Sequence, residues 1–483
     1  MNEATLTGWK KKTIIMCLLL VCFFIFSYDG IHHWDEASYL YNAAFSEPSE
    51  LETFHHFKIG HLLILKSLVQ IVGMGMTGLL FISFAYAVMM LCFVYFSFIF
   101  LKRLLGQEAY YATIILAFLP LTLYLSFKAL SEVPSLLFGI ISLLSLLYAF
   151  SPITITRRSL MLLTSGVFLF LSSLCRVEAL IMLASFILAL LITRKFKTRV
   201  IALYGCFVLT LSILLTLIGV TLLTLNLQDM FLYATTFQEK TRYTLLENIL
   251  MAFLEGGLFY PFIFPSFFRY KDEHFKFALF WLVFASVSSV VIMDHIEARR
   301  LCWNIIPLSI LIFIGMKEIY EKMRNKLNRK GVLLSAPKVL FVFLFFLLLV
   351  GNYFLIAHGP DKIDERDYSG LFERLDNIYG DDKVILVPNK DADYCFIKFA
   401  FPEEIVIKVG EEGEPELLRK FENKTLIYVV WNIEVNAFVY KYKKSNYEYS
   451  WIGKSSEVVL EKVVEEGRYT AYLVNAAESF KGR

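Results

Sequence analysis

The sequence predicts a polytopic α-helical membrane protein of about eleven transmembrane helices, with a small extracytoplasmic α/β domain at its C-terminal end. Three observations carry that expectation. Of 483 residues, 57% are hydrophobic and 19% charged, against about 45–50% and 25% in an average soluble domain, which excludes the soluble globular class. The mean hydropathy of +0.59 is spread over Leu- and Phe-rich blocks that recur along the chain, so the apolar residues do not belong to a single anchor. After about residue 357 the composition turns abruptly charged, with short strand-like runs. A net charge of +3, with no basic tract interleaved with aromatics, sets nucleic acid aside as a partner.

The first apolar run, Thr13 to Ser27, follows Lys10, Lys11 and Lys12 and lacks a small-x-small site before Asp29, so it reads as an uncleaved signal anchor. Because unpaired backbone is intolerable in lipid, each later apolar run is expected to be a helix. The spans run approximately over 13–28, 77–101, 109–127, 133–150, 159–175, 177–193, 200–224, 249–268, 277–293, 301–316 and 339–357. Lys and Arg collect at alternate connections: Lys102 and Arg103, Arg157 and Arg158, Arg194 to Arg199, Arg269 to Lys276, and a basic loop from Lys317 to Lys338. By the positive-inside rule these are cytoplasmic, in a multi-pass protein of the plasma membrane. The N-terminus is then cytoplasmic, and the loops from Asp29 to Gly75 and from Asn226 to Asn248 face outward, as does everything after His358.

Two domains follow, a transmembrane domain over 1–357 and an extracytoplasmic α/β domain over 358–483, the latter long enough to fold alone. Its expected strands are Val384–Val387, Ile405–Ile407, Leu426–Trp431 and Tyr469–Val474, separated by charged, helix-like stretches. Asn423, Lys424 and Thr425 form a glycosylation triplet there, a weak signal alone. The seven cysteines are widely spaced and, except for Cys395, lie in apolar stretches, so neither a disulfide framework nor a zinc site is implied.

Chemistry is expected on the outer face. His32, His33, Trp34, Asp35, Glu36, Ala37, Ser38 and Tyr39 follow the signal anchor. The acid pair reads either as a catalytic pair or as acids offsetting the dipole at the start of an amphipathic helix over 35–45. Glu132, in Ser131-Glu132-Val133-Pro134, reads either as a second acidic site able to meet the first in one cleft, or as an ordinary helix start with Ser131 as cap and Lys128 as partner. Lys58 precedes the modestly apolar run 59–72. It is a candidate ligand for a lipid phosphate or an interfacial lysine that snorkels. Arg299 and Arg300 break the positive-inside trend, through anion binding or through pairing with Asp294 and Glu297. Arg242, beside Lys240, is a further anion candidate. Arg176 and Glu178 stand between two short spans where the chain is expected to turn, and read as a structural ion pair, with substrate contact as the alternative. The histidines of the first outer loop, His32, His33, His55, His56 and His61, lack metal-ligand spacing, and no Gly-rich phosphate loop or nucleophile elbow occurs, so no metal and no cofactor is assigned.

The order of signal anchor, acid pair with Tyr39, lysine segment Lys58 to Leu62, Ser-Glu-x-Pro at Ser131 to Pro134, Arg-x-Glu at Arg176 to Glu178, and Arg299 ahead of Pro307 resembles the GT-C glycosyltransferase superfamily. The resemblance is to the protein O-mannosyltransferase and lipid A aminoarabinose transferase type and covers most of 1–357. In such relatives the lysine motif commonly runs Lys-Pro-Pro-Leu, whereas here Ile59, Gly60 and His61 follow Lys58. The resemblance implies a polyprenyl-phosphate-linked sugar donor, a lipid, glycan or protein acceptor, and transfer at the outer surface of the bilayer. It implies Asp35 as general base, Glu36 and Glu132 orienting hydroxyls, and Lys58, His61, Arg242, Arg299, Arg300 and Tyr39 binding substrate and phosphate. Direct displacement would invert the anomeric carbon. Two other classes fit less well. A transporter or flippase predicts internal repeats with interrupted paired spans, which are not seen. A membrane-anchored assembly protein would place all function in the domain after 358.

Overall fold

In the computed structural model of the chain, the described residues are 31–46, 58–193, 198–222, 257–293, 302–328, 362–388, 391–409, 424–431, 458–466 and 469–476. In chain order the elements are β1 (Ile31–His33), α1 (Trp34–Phe45), α2 (Ile59–Val72), α3 (Gly75–Leu105), α4 (Ala109–Phe118), α5 (Pro120–Leu125), α6 (Glu132–Ala149), α7 (Ile155–Cys175), α8 (Ala179–Thr193) and α9 (Thr198–Leu222). After short helical turns from Gly257 to Arg269 come α10 (Glu273–Met293), α11 (Ile305–Asn328), β2 (Lys362–Asp364), α12 (Glu365–Tyr379), β3 (Lys383–Pro388), α13 (Asp391–Ala400), β4 (Val406–Val409), β5 (Thr425–Trp431), β6 (Val458–Glu466) and β7 (Tyr469–Ala476). Among the described residues, five helical stretches are long and apolar enough to cross a membrane: Gly75–Phe118, Glu132–Ala149, Ile155–Cys175, Arg199–Thr216 and Cys302–Lys326. Helices α2 and α8 are apolar but shorter. The protein is a polytopic α-helical membrane protein with a small sheet domain.

Several expectations are corrected. The span expected over 109–127 is two helices. Pro120 opens the second, Leu119 before it is extended (φ −60°, ψ 141°), and the clash of a proline ring with the preceding residue explains the break. The span expected over 249–268 is, from Gly257 on, a series of short helical turns around Pro261 and Pro265. The basic stretch from Lys317, expected as loop, continues α11 to Asn328. Glu318 there pairs with Lys322 one turn on at 3.4 Å, and Arg269 pairs with Glu318 and Glu321. The expected spans 13–28 and 339–357 lie outside the described residues.

The chain divides into two compact units, one from Met1–Tyr28, Glu47–Ile64 and Ser83–Ala357, the other from Asp29–Ser46, Leu65–Ile82 and His358–Arg483. In the first, α6 and α7 run antiparallel and are joined by two polar rungs. Ser135 Oγ donates to Ser172 O (3.1 Å) while Ser172 Oγ donates to Ser135 O (2.7 Å). Seven residues further along each helix, Ser142 and Ser165 repeat the exchange at 2.8 and 2.9 Å. Small polar residues of this kind let apolar helices approach closely and satisfy their hydroxyls across the interface. Gly139, between the two serines of α6, has the Trp303 ring where a Cβ would stand, 2.4 Å from it. An aromatic core of Phe100, Phe186, Phe277 and Trp281 is fully buried elsewhere in this unit, with Phe186 and Trp281 ring centres 5.2 Å apart.

The second unit holds a five-stranded sheet of order β4-β3-β5-β7-β6. Strand β3 pairs parallel with β4 and β5, and β7 pairs antiparallel with β5 and β6. The run Val384 to Val387 is buried throughout, as suits a central parallel strand covered on both faces. Strands β3, β4, β5 and β7 fall where expected; β6 lies in a charged stretch expected to be helix-like and is a strand bulged between Lys462 and Val464. Beside this sheet, β1 and β2 form an antiparallel pair. At the turn joining α2 to α3, Gly73 and Gly75 take φ of +80° and +87°, a conformation that side chains with a Cβ rarely adopt.

Candidate functional site

In the first unit a group of ionisable side chains is gathered at the ends of four elements. Glu132 opens α6, Arg176 ends α7, Glu178 stands in the turn before α8, and Lys58 precedes α2, its carbonyl accepting from Leu62 N at 3.1 Å. All are buried, Glu132 to 1% exposure. The chain can turn at Arg176 because that residue is extended (φ −156°, ψ 120°), as expected from two charges too close to share a helix face. The guanidinium donates to Glu132 and to Glu178 Oε1, the latter at 2.7 Å. The pair expected between Arg176 and Glu178 is present. The bond to Glu132, 44 residues away, was not anticipated. Burial works against the Arg176 charge, but the two carboxylates outweigh it and hold its pKa well above the ordinary value. Ser131 does not cap α6; its hydroxyl donates to Glu132 Oε2 at 3.2 Å.

His61, one turn into α2 and fully buried, is joined to Tyr86 of α3, with the hydroxyl 3.0 Å from Nδ1. Burial is the largest influence and lowers its pKa; Glu132 and the Ala129 backbone work the other way, Lys58 and Arg176 add to the lowering, and the net effect takes the imidazole down to about 3, so it is neutral at physiological pH. Gly60 lets the first turn of α2 approach the end of α7 closely. A Cβ on Gly60 would lie 2.8 Å from Leu174 Cβ, two residues before Arg176. The departure from a proline-bearing lysine motif thus has a packing reason, since the first turn of α2 is pressed against the end of α7.

Asp35, Glu36 and Tyr39 lie in the second unit, on the first turns of α1, where acids offset the positive end of the helix. Glu36 and Tyr39 are fully buried and Asp35 is half-buried. Arg242, Arg299 and Arg300 lie outside the described residues, as do His55 and His56. Among the described residues, no three His, Cys, Asp or Glu side chains stand together as a metal site.

No family model matches the chain and no curated protein matches it. Solved structures do. ArnT from Cupriavidus metallidurans bound to undecaprenyl phosphate superposes with a TM-score of 0.63 at 13% identity, over 97% of this chain and 98% of that one. Its apo state gives 0.60 at 12% identity over the same shares. The archaeal oligosaccharyltransferase AglB from Archaeoglobus fulgidus, in complex with an inhibitory peptide and a dolichol-phosphate, gives 0.50 at 12% identity, over 86% of this chain and 68% of that one. Both neighbours are GT-C proteins, ArnT being lipid A aminoarabinose transferase. The chain therefore has the GT-C membrane fold. In extent it is similar to ArnT end to end.

Proposed function

We propose that this protein is an integral-membrane glycosyltransferase that moves a sugar from a polyprenyl-phosphate donor to a hydroxyl- or amine-bearing acceptor at the outer face of the plasma membrane. The observation that carries the reading is the fold likeness to ArnT, bound there to undecaprenyl phosphate, over 97% of this chain. The order of acid pair, lysine segment and buried glutamate along the sequence supports it.

An acceptor hydroxyl is a weak nucleophile until its proton is taken as attack proceeds. In the proposed mechanism the Asp35 carboxylate accepts that proton. The acceptor oxygen bonds to the anomeric carbon as the bond from that carbon to the phosphate oxygen breaks, inverting the configuration and releasing polyprenyl phosphate. Lys58, Arg242, Arg299 and Arg300 offset the phosphate charge, which lowers the barrier where charge is carried away by the leaving group. Glu36 and Glu132 orient hydroxyls, and Tyr39 and His61 line the substrate. Burial of Glu132 against Arg176 suits an orienting carboxylate, because an arginine partner favours its ionised form. With the phosphate and acceptor on the outer side, the N-terminus is cytoplasmic and the domain after 358 extracytoplasmic.

The test is turnover of a panel of labelled polyprenyl-phosphate sugars in proteoliposomes with crude membrane acceptors. Wild-type protein is expected to release polyprenyl phosphate and transfer label, and Asp35→Asn to abolish both while expressing normally. Full activity in Asp35→Asn sinks the base assignment. No turnover of any donor by well-folded protein sinks the transferase reading and turns attention to solute flux.

A further inference from the structure

The acid-bearing helix α1 and the residues after 358 belong to one compact unit, and α1 is held there in two ways. Its N-terminal end is continuous with β1, which pairs antiparallel with β2 so that Ile31 faces Asp364, His32 faces Ile363 and His33 faces Lys362. Asp35 stands two residues beyond the last paired position. Strand β2 runs straight into α12, whose Tyr368 lies against Phe396 of α13 with ring centres 5.6 Å apart. The second hold is α13 itself, which packs along α1 with Tyr41 and Tyr394 ring centres 5.6 Å apart. Burial, followed by the neighbouring Tyr394 hydroxyl, pushes the half-buried Tyr41 phenol up to about 12. Ala37, Leu40 and Ala43, spaced to share one face of α1, are buried.

Helix α1 depends on these holds because it has little stability of its own. A helix of 12 residues is marginal in isolation, and a three-residue strand pair is more so. Together they bring α1 under the control of a part of the chain more than 300 residues away. We propose that the C-terminal segment positions the acid-bearing helix for the transfer reaction, through the β1–β2 pair and the Tyr41–Tyr394 contact, with Tyr394 a positioning residue. The proposal rests on the transferase reading with Asp35 as base. It gives the C-terminal domain a task in the transfer reaction itself. Misplacing a reacting group by about 1 Å can cost roughly a hundredfold in rate, so loosening α1 is expected to act on kcat.

The experiment compares wild type, Tyr394→Ala, Tyr394→Phe, Tyr41→Ala and Ile363→Pro as full chains in proteoliposomes. It reads release of polyprenyl phosphate together with hydrogen exchange of the amides of 34–45 and of β3. Tyr394→Ala and Ile363→Pro are expected to lose about tenfold or more in kcat at unchanged donor KM, with faster exchange over 34–45 and unchanged exchange over β3. Tyr394→Phe, which keeps the ring, is expected to restore both. Where exchange over β3 shows that Tyr394→Ala has unfolded the sheet, Tyr41→Ala takes its place, because it alters the contact from the helix side. Faster exchange over 34–45 with full kcat overturns the proposal, and so does lost kcat with 34–45 still protected. Failure of the transferase reading is seen separately, in a wild type that turns over no donor or an Asp35→Asn variant that is fully active, and either removes the proposal's basis.

Discussion

Replacing Arg176 by methionine tests whether the buried ion pairs hold the ends of α6, α7 and α8 together. The substitution keeps an unbranched stem and removes the guanidinium, leaving Glu132 at 1% and Glu178 at 8% exposure without their arginine. Removing one partner of a buried pair costs about 3–5 kcal/mol, because the other charge is left buried, and here a single change strips two carboxylates. That is a factor of more than about a hundred in the ratio of folded to unfolded protein. Glu178→Gln alone retains an acceptor for the guanidinium and loses only the charge assistance of one 2.7 Å bond, about 1.5–3 kcal/mol at most. The triple variant Arg176→Met, Glu132→Gln, Glu178→Gln removes all three charges and is expected to recover most of the loss. The assay is unfolding of the purified protein in mixed micelles by titration with sodium dodecyl sulfate, followed by helical circular dichroism. A cost below about 1 kcal/mol for Arg176→Met, or a triple variant no more stable than the single, would refute the claim that these pairs fix the three ends.

Two further outcomes follow from the same packing arguments. Gly60→Ala puts a methyl 2.8 Å from Leu174 Cβ and 3.0 Å from the Leu174 carbonyl carbon, so backbone must move; a loss of about 1–3 kcal/mol in the same titration is expected, with faster exchange at the start of α2 and not along α8. In the sheet unit, Lys383 is buried and paired with Asp376 and with Glu404 at 3.1 Å. Burial opposes its charge, yet the carboxylates hold its pKa above the ordinary value of about 10.5. A raised folded value means that its contribution is complete below about pH 10.5 and is lost as the pH rises through the folded value. Pulse proteolysis of the full protein from about pH 9 to about pH 12 should show a fall in stability over that window. Lys383→Met should be less stable at neutral pH and lack the lysine's share of that fall.

What was legible in the sequence was what hydropathy and alternation report directly. Apolar runs placed α3, α6, α7, α8, α9 and α10, and short runs rich in β-branched and aromatic residues placed four of the five strands of the sheet. Hydropathy marks membrane depth and not helix ends, which is why α11 outlasts its apolar stretch by a basic segment held in helix by Glu318, Lys322 and Arg269. The break at Pro120 was signalled, since proline restricts the residue before it, and was outweighed by the apolar run around it. Strand β6 was hidden by the charges of Glu461, Lys462 and Glu465, which read as a helical surface although Val458, Val459, Val463 and Val464 favour a strand. The pairing of β1 with β2 joins segments more than 300 residues apart and leaves no local trace.

At the candidate site the residue types were legible and their partners were not. Sequence neighbourhood offers Lys128 to Glu132 and Glu178 to Arg176; the structure makes Arg176 the common partner of both glutamates. A signal for this was present. Ser135 and Ser142 on one span, and Ser165 and Ser172 on the next, are each seven residues apart, a spacing that returns to nearly the same helix face. In two spans joined by a short loop, and so antiparallel, matching Ser142 with Ser165 and Ser135 with Ser172 places residue 132 opposite residue 175. Glu132 then lies one residue from Arg176 on spacing alone. Small polar residues inside apolar helices are costly unless they meet partners across an interface, so their periodicity records which helix faces touch and in what register. The register in turn decides which of the expensive buried charges can neutralise one another. In a membrane chain the sparse polar residues therefore carry more of the tertiary information than the apolar majority, whose pattern fixes the spans and says little about how they pair.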